Sequence, residues 1–262
     1  MGLKYDQNDY AIPRGRVYFD PEVGGVNIGE KPLGNCPGVT VQIETTKSDH
    51  FSSETGLRQK DASVVVEVNR TGKVTCDNIT LENLAYFFSG AVESVTQSSG
   101  TVTAESHTVQ SGRHYQIGKS SANPAGVRNI SSLVVKSGDN VTTFVAGTDY
   151  EADLELGRLQ ILEGGGIDDG DAIVLSYTKA AASWDRVVTG AQSELTGALR
   201  IIADNATGAD RDFYMPRVTL TPSGELPVIA EGTDFVQMEF GLEVLKPSNG
   251  EAIYVDGRPA TP

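Results

Sequence analysis

Three histidines, two cysteines and several close carboxylates are the residues of this chain that could carry out chemistry. No two of His50, His107 and His114 have a metal-ligand spacing such as i, i+4. His50 follows Asp49, which could act with it as a catalytic pair, but there is no Gly-x-Ser-x-Gly motif and no cysteine nearby. The sequence therefore favours a solvated or hydrogen-bonded histidine in a loop over a catalytic one.

The remaining candidates have equally simple interpretations. Glu239 and Glu243 would lie about 13–14 Å apart on one strand face, too far for two-carboxylate hydrolysis. The run Asp168–Asp171 lacks the spacing and the closing glutamate of an EF-hand loop, which favours a solvated turn. Cys36 and Cys76 have no Cys-x-x-Cys spacing, and a reduced, buried pair is favoured over a disulfide. We identify no catalytic residue, no metal site and no cofactor site, so the sequence predicts a protein that is not an enzyme.

The composition is that of an acidic globular protein. The 262 residues are 39% hydrophobic and 21% charged, with a net charge of −14. Such a charge argues against a protein that binds nucleic acid tightly, since such proteins carry a basic surface patch. It does not argue against a protein that lets nucleic acid pass. No apolar run approaches the roughly 20 residues of a membrane span, and the first residues lack the apolar stretch of a secretion signal. We therefore expect the protein to stay in the cytoplasm where it is made, without a membrane partner.

The elements that would position side chains begin with two strands, Val39–Glu44 and Ser63–Asn69, in which β-branched residues recur with a period of two. The pattern puts one set of apolar side chains on a shared face: Val39, Val41, Ile43, Val64, Val66 and Val68. The polar set points the other way: Thr40, Gln42, Glu44, Ser63, Glu67 and Asn69. Between the strands, Thr45–Asp61 is a long polar loop, and such loops are usually functional or disordered. After them, Arg70–Lys73 is predicted to form a turn.

One helix follows. Thr80 is its predicted N-cap, and Gly90 is at the position of a left-handed C-cap. Its apolar positions have helical spacing and are expected to pack on the valine face of the hairpin: Leu81, Leu84, Ala85 and Phe88. Asp234–Leu245 then alternates as a strand, with five apolar residues inward (Val236, Met238, Phe240, Leu242, Val244) and four residues outward (Gln237, Glu239, Gly241, Glu243).

These patterns predict a mainly β protein with two domains. Residues 1–115 and 184–262 form the first, with an N-terminal arm over 1–38 and a C-terminal tail over 246–262. The arm either packs on its own domain or reaches a neighbouring subunit. Residues 116–183 contain short strands separated by Gly or Asp turns, which indicates an inserted small Ig-like β-sandwich.

In its order of elements the chain resembles the major tail tube proteins of bacteriophages with long, flexible tails. The resemblance covers a Gly/Pro-rich arm (GRVYFDP, GEKPLGN), the hairpin (SDHFSSETGLRQKDASVVVEV), one helix (TCDNITLENLAYFFSG) and the alternating C-terminal strands. The segment GTDYEADLELGRLQILEGGGIDDGDAIVLSYT resembles a module found in such tail proteins. The resemblance implies a tail-tube β-barrel or sandwich with one short flanking helix, a long hairpin loop and the inserted domain as an outer decoration.

The same resemblance implies self-assembly. Six copies would form a ring whose sheets join into a barrel, and rings would stack into a tube through the hairpin loop and the terminal arms. Partners would be further copies, the tape-measure protein and the tail terminator protein, and DNA would pass through without specific binding. The protein would be assembled in the bacterial cytoplasm and would reside in the tail of the virion.

This interpretation assigns two sets of residues. The wall of the channel would carry polar side chains that repel DNA phosphates and keep the wall hydrated: Thr40, Gln42, Glu44, Ser63, Glu67, Gln237, Glu239 and Glu243. No basic residue is predicted on these strand faces. Contacts between rings would involve the hairpin loop: Lys47, Asp49, His50, Phe51, Arg58 and Lys60.

Two alternatives stay open at this stage. A carbohydrate-binding or adhesin module built on β-sandwiches would need an exposed aromatic platform, and the chain has one tryptophan, Trp184, with scattered tyrosines. The inner tube of a contractile tail or of a secretion system is the second alternative, because such tubes are also built from rings. On a monomer, the polar faces would simply meet solvent.

Overall fold

A computed structural model of the chain describes residues 10–54, 56–190 and 194–259. Over these residues it has seventeen strands and one helix, which confirms the mainly β prediction. The chain divides into two compact units, Met1–Glu93 with Val187–Pro262 and Ser94–Arg186. Two paired strands, β6 (Ala91–Gln97) and β13 (Ala182–Val188), carry the chain from the first unit to the second and back.

The first unit is built on one nine-stranded sheet with the order β2-β1-β14-β15-β16-β5-β4, in which β3 also pairs with β1 and β17 with β15. Its strands are β1 (Gly15–Val23), β2 (Val26–Asn27), β3 (Lys31–Pro32), β4 (Gly38–Ser52), β5 (Gln59–Cys76), β14 (Leu195–Ala203), β15 (Arg211–Ser223), β16 (Met238–Val244) and β17 (Tyr254–Gly257). In the described part of the chain this sheet is open and does not close into a barrel, so β2 and β4 are edges.

One face of this sheet carries the core of the first unit. Alternation along β16 buries Met238, Phe240, Leu242 and Val244, as the period of two predicts. The predicted strand was too long at its start, because Asp234–Gln237 precede β16. Neighbouring strands, and Leu33 and Ala252 outside them, add apolar side chains to the same cluster. The strand residues are Val17, Phe19, Val74, Cys76, Leu195, Leu199, Met215, Val218 and Leu220.

Helix α1 (Leu81–Phe87) covers part of this core. Asn83 N donates to Thr80 Oγ1 at 3.1 Å, so the predicted N-cap is confirmed. The left-handed residue after the helix is Ser89, with φ +50°, and not Gly90. A Cβ at Gly90 would instead collide with the Val188 carbonyl oxygen, which explains a glycine there.

The helix does not cover most of the predicted valine face of the hairpin, contrary to the prediction. Val39 packs on the same core as Leu84 of the helix, but the other five residues of that face are exposed: Val41, Ile43, Val64, Val66 and Val68. Tyr86 packs edge-to-face on Phe19 at 5.7 Å between ring centroids, and Phe87 on Phe240 at 6.1 Å. The prediction was wrong because the helix turns these aromatic side chains towards β1 and β16, which leaves Phe88 exposed.

The N-terminal arm contributes to the sheet of its own unit. β1 pairs with β14 over Gly15–Pro21, and Val17, Phe19 and Leu33 are buried. In the C-terminal tail, β17 pairs with β15. Both segments therefore have partners within the chain. The described strands of the arm pack on their own unit, which is the first of the two alternatives for the arm.

The second unit has two three-stranded sheets, which is consistent with a β-sandwich. Their orders are β10-β11-β8 and β7-β12-β9. The strands are β7 (Gly100–Thr108), β8 (His114–Gln116), β9 (Ile130–Ser137), β10 (Tyr150–Asp153), β11 (Arg158–Ile161) and β12 (Ala172–Lys179). A separate core lies among them: Val109, Ile117, Val127, Ile130, Val135, Phe144, Tyr150, Leu159, Ile161, Ile167, Ile173, Leu175 and Tyr177.

This unit starts earlier than the predicted boundaries of 116–183. It begins at Ser94 and ends at Arg186, because β7 pairs with β12 along its length. The Ser/Thr-rich sequence of β7 gives little apolar alternation, so the segment carries no strong strand signal of its own.

Candidate functional site

The hairpin of β4 and β5 extends well beyond the rest of its sheet. β16 pairs with β5 only from Thr71 to Cys76, and β4 is an edge strand. Residues 43–54 and 56–70, the hairpin arm, therefore form a two-stranded ribbon that extends roughly 30 Å beyond the last pairing with β16. The predicted loop over Thr45–Asp61 is thus wrong, since the strands pair as far as Ser52 and Gln59.

Cross-strand polar contacts explain why this charged sequence forms strands. Lys60 Nζ lies 2.6 Å from Asp49 Oδ1, and Ser63 Oγ donates to the same oxygen at 2.6 Å. These two donors hold the pKa of Asp49 below its usual value. His50 Nδ1 lies 2.5 Å from Asp61 Oδ1, so the partner of this histidine is not its sequence neighbour.

The tip of the hairpin arm has one further contact. The Arg58 guanidinium lies over the Phe51 ring, 5.0 Å from its centroid. The residues predicted for contacts between rings thus form three clusters within the arm, while Lys47 adds a nearby positive charge to Asp49. The structure therefore brings this set together on two paired strands, and not in a loop as predicted.

Along the hairpin arm, apolar side chains face solvent. Ile43 is 60% exposed and Val66 is 62% exposed. The other exposed apolar residues of the arm are Phe51, Leu57, Val64, Val65 and Val68, and Val41 lies just before it. In contrast, Val39 and Val74, at the base of the same two strands, pack in the core. An isolated two-stranded hairpin is marginally stable in water, and exposed apolar patches of this kind often mark interaction sites.

Two bulges on β5 change which side chains share a face. Thr46 pairs with Glu67 but Lys47 pairs with Val65, which leaves Val66 as the extra residue. Directly opposed residues point to the same side of an antiparallel pair. Val64, opposite Ser48, therefore joins the polar side of the hairpin, against the predicted valine face. Ser63, opposite Asp49, joins the other side and leaves the predicted channel set.

The remaining strand residues of the channel set do share one face. The register relates Thr40 to Lys73, Gln42 to Thr71, Glu44 to Asn69 and Glu67 to Thr46, while Glu239 and Glu243 oppose Thr75 and Thr71. We call this surface the polar face: Thr40, Gln42, Glu44, Glu67, Lys73, Glu239 and Glu243. It lies on the side of the sheet opposite the core, since its members alternate with Val39, Val74 and Phe240.

The polar face contains one basic residue that the sequence analysis missed. Lys73 Nζ lies 2.7 Å from Glu239 Oε2. The prediction of a turn at Arg70–Lys73 was wrong, because β5 runs unbroken to Cys76, and that error concealed Lys73. The alternation Glu67, Asn69, Thr71, Lys73 was the available signal.

The other carboxylates of the polar face have no basic partner among the described residues. Glu44 accepts a hydrogen bond from Gln42 Nε2 at 2.7 Å, and Glu67 accepts one from Asn69 Nδ2 at 2.9 Å. The eighth predicted channel residue, Gln237, lies outside the strands, in the β15–β16 loop (residues 224–237). As defined on β4, β5 and β16, the polar face is therefore acidic, with four carboxylates and one ammonium group. The same side of β1 and β14 also carries Arg16 and Arg200, and Arg200 pairs with Glu30 at 2.6 Å.

Two of the residues considered for chemistry make local hydrogen bonds. His107 Nε2 lies 2.7 Å from Glu105 Oε1. Asp168 N donates to Asp171 Oδ2 at 2.9 Å, as in a solvated turn. Over the described residues, no group of three His, Cys, Asp or Glu side chains could hold a metal ion. Helix α1 is too short to cross a membrane, and no other helix in the described part of the chain could do so.

Cys36 and Cys76 lie together beside the core of the first unit. Both are free thiols, with their Sγ atoms 3.2 Å apart. The hydrogen bond to Cys36 and burial raise the pKa of Cys76, so this thiol stays protonated near neutral pH.

Comparison with known proteins places the chain in a family without giving it an activity. The model of the family described as protein of unknown function UCP028589 matches residues 10–252, and the chain belongs to this family. No curated protein matches the chain.

Proposed function

We propose that this protein is a structural subunit, and not an enzyme, that assembles into stacked rings to form the tail tube of a flexible-tailed bacteriophage. The observation that carries the proposal is the hairpin arm. Its exposed valines and isoleucine have no covering surface within the described chain, and a second copy would supply one.

The open sheet supports assembly in a second way. β2 and β4 end the strand order and leave backbone groups without strand partners. Such edges favour pairing with another chain unless they are protected. A ring of subunits, of six copies by resemblance, would pair every edge and would turn the open sheets into one closed barrel.

The polar face supports a role as a conduit. In a closed ring the core side of each sheet would face outward, and the polar face would line the channel. Glu44, Glu67 and Glu243 would add three unpaired negative charges from each subunit, and Lys73 would be neutralised by Glu239. Repeated carboxylates repel DNA phosphates and prevent binding by counterion release, so that DNA passes without being held.

The adhesin alternative finds less support in the structure. The Trp184 ring is half-buried, and the Arg128 guanidinium lies 5.7 Å from its centroid. The one tryptophan therefore does not form the open aromatic platform that carbohydrate binding would require. The inner tube of a contractile tail remains the related alternative, because it would use the same edges and the same polar face.

Negative-stain electron microscopy of the purified chain tests the proposal. We expect hollow tubes or rings at high protein concentration, and dispersed monomers at every concentration would refute it.

Deletion of residues 48–59 removes the outer part of the hairpin arm. The shortened chain should keep its thermal unfolding transition and form no tubes, since the core does not involve these residues. Normal tubes from the deletion would show that the outer part of the arm is not required.

A further inference from the structure

The hairpin arm and the β15–β16 loop leave the sheet at opposite ends. Met238 pairs with Cys76 at the last residue of β5, whereas Glu243 pairs with Thr71, next to the arm. The loop that precedes Met238 is therefore at the far end of β5 from the tip of the hairpin arm. If one copy is translated along the strand direction, the arm of the first approaches the loop of the second.

The β15–β16 loop is the second strongly exposed apolar surface of the first unit. Val228 is 87% exposed, Ile229 is 92% exposed and Phe235 is 91% exposed. Leu226 of the same loop packs on the core, so the loop is anchored while its other apolar side chains face solvent. Apolar side chains on both the loop and the arm would lose contact with water if the two surfaces met.

The loop is acidic, and the outer part of the arm offers basic side chains that could pair with it. The loop carries three exposed carboxylates, Glu225, Glu231 and Asp234, and no basic residue. At the tip of the arm, the Lys60 and His50 side chains are engaged with Asp49 and Asp61.

Residues 47–61, the outer part of the arm, carry three basic and three acidic side chains, and three of these six have no ion-pair partner among the described residues, although Lys47 lies close enough to Asp49 to lower its pKa. The three are Lys47, Arg58 and Glu54. Electrostatic complementarity between two surfaces fixes register and selects against wrong partners.

We propose that the hairpin arm of one copy lies on the β15–β16 loop of a second copy, in a head-to-tail contact along the strand direction. This inference rests on the proposed self-assembly and names the surface that receives the arm. Because the contact joins two different surfaces and relates the copies by translation along the strands, it repeats from copy to copy without closing, as the stacking of rings requires. The edges β2 and β4, which lie across the strands, remain available for contacts within a ring.

Charge reversal with rescue tests the contact. One variant carries Lys47→Glu and Arg58→Glu, a second carries Glu231→Lys and Asp234→Lys, and a third combines all four changes. We expect each double variant to raise the critical concentration for tube formation about tenfold, and the combined variant to restore it. The control, Glu151→Lys with Glu155→Lys in the second unit, makes the same change in net charge as the loop variant and should assemble like the wild type.

Sedimentation and electron microscopy give the readout, and circular dichroism checks the fold of each variant. Loop-reversed chains that assemble like the wild type would overturn the inference while leaving the proposed function intact. A combined variant that assembles no better than the double variants would also overturn it. A wild-type chain that never assembles would overturn both proposals.

Discussion

The hairpin arm and the sandwich of the second unit use similar β-branched strands in opposite ways. In β12, alternate residues Ile173, Leu175 and Tyr177 are buried between neighbouring strands of the same chain. In the arm, residues such as Ile43 and Val68 alternate with polar residues but remain exposed. Alternation of apolar residues therefore indicates a face that needs covering, but not whether the cover comes from the same chain. The arm is the region where cover from another chain is expected.

The largest difference between the two regions should appear when an apolar side chain is shortened. Leu175→Ala, inside the sandwich, should lower the free energy of unfolding by about 2–5 kcal/mol, because it leaves a cavity. Val65→Ala, on the arm, should change it by less than about 0.5 kcal/mol, because the side chain already meets water. Chemical denaturation of the monomer measures both. Equal losses would mean that the arm is covered within the chain.

A smaller effect on stability is expected from a carboxylate of the sandwich. Glu105 of the sandwich accepts hydrogen bonds from Tyr177 Oη at 2.6 Å, His107 Nε2 at 2.7 Å and Gly118 N at 2.8 Å. Burial raises the pKa of Glu105, but these hydrogen bonds outweigh it and hold the pKa below its usual value. The ionised group thus stabilises the fold above the unfolded-state pKa, and this contribution is lost as pH falls through the folded-state pKa.

Glu105→Gln should therefore cost about 1–2 kcal/mol at neutral pH and remove this part of the acid sensitivity. Denaturation at a series of pH values measures the difference between variant and wild type. Glu155→Gln is the control, since Glu155 is exposed and its side chain has no partner among the described residues. A pH dependence unchanged by Glu105→Gln would contradict the prediction.

The smallest effect on the isolated subunit should come from the arm. Ile43→Asn should alter the free energy of unfolding by less than about 0.5 kcal/mol, yet prevent tube formation, because the interface would bury an amide without a partner. Val145→Asn, at a similarly exposed site of the second unit, should leave both the free energy of unfolding and tube formation unchanged. Thermal melting and electron microscopy separate the two effects. Tubes of normal length from Ile43→Asn would show that this residue lies outside the interface.

The sequence predicted those elements whose signals are local. The period of two along Met238–Val244 and the Thr80 cap both depend on neighbouring residues, and both were confirmed. The polar face was recovered in part for the same reason, since alternation within one strand assigns its sides. The use of this face as a channel wall stays a prediction.

Other features depend on partners far away in the chain. The strands of the arm continue through Asp49 and Lys60 because these side chains meet across the hairpin, which composition does not indicate. The bulge at Val66 and the start of the second unit at Ser94 also follow from pairing. Single-sequence patterns do not contain such register information.

The bulge at Val66 has a consequence for the number of neighbours. It places Val64 on one side of the ribbon while Val65 and Val68 remain on the other. A partner that approaches from one side would leave the valine side chains on the opposite side exposed to solvent. Complete desolvation of the outer ribbon, beyond Glu67, therefore requires two neighbours, one on each side, so a simple dimer would be an incomplete assembly.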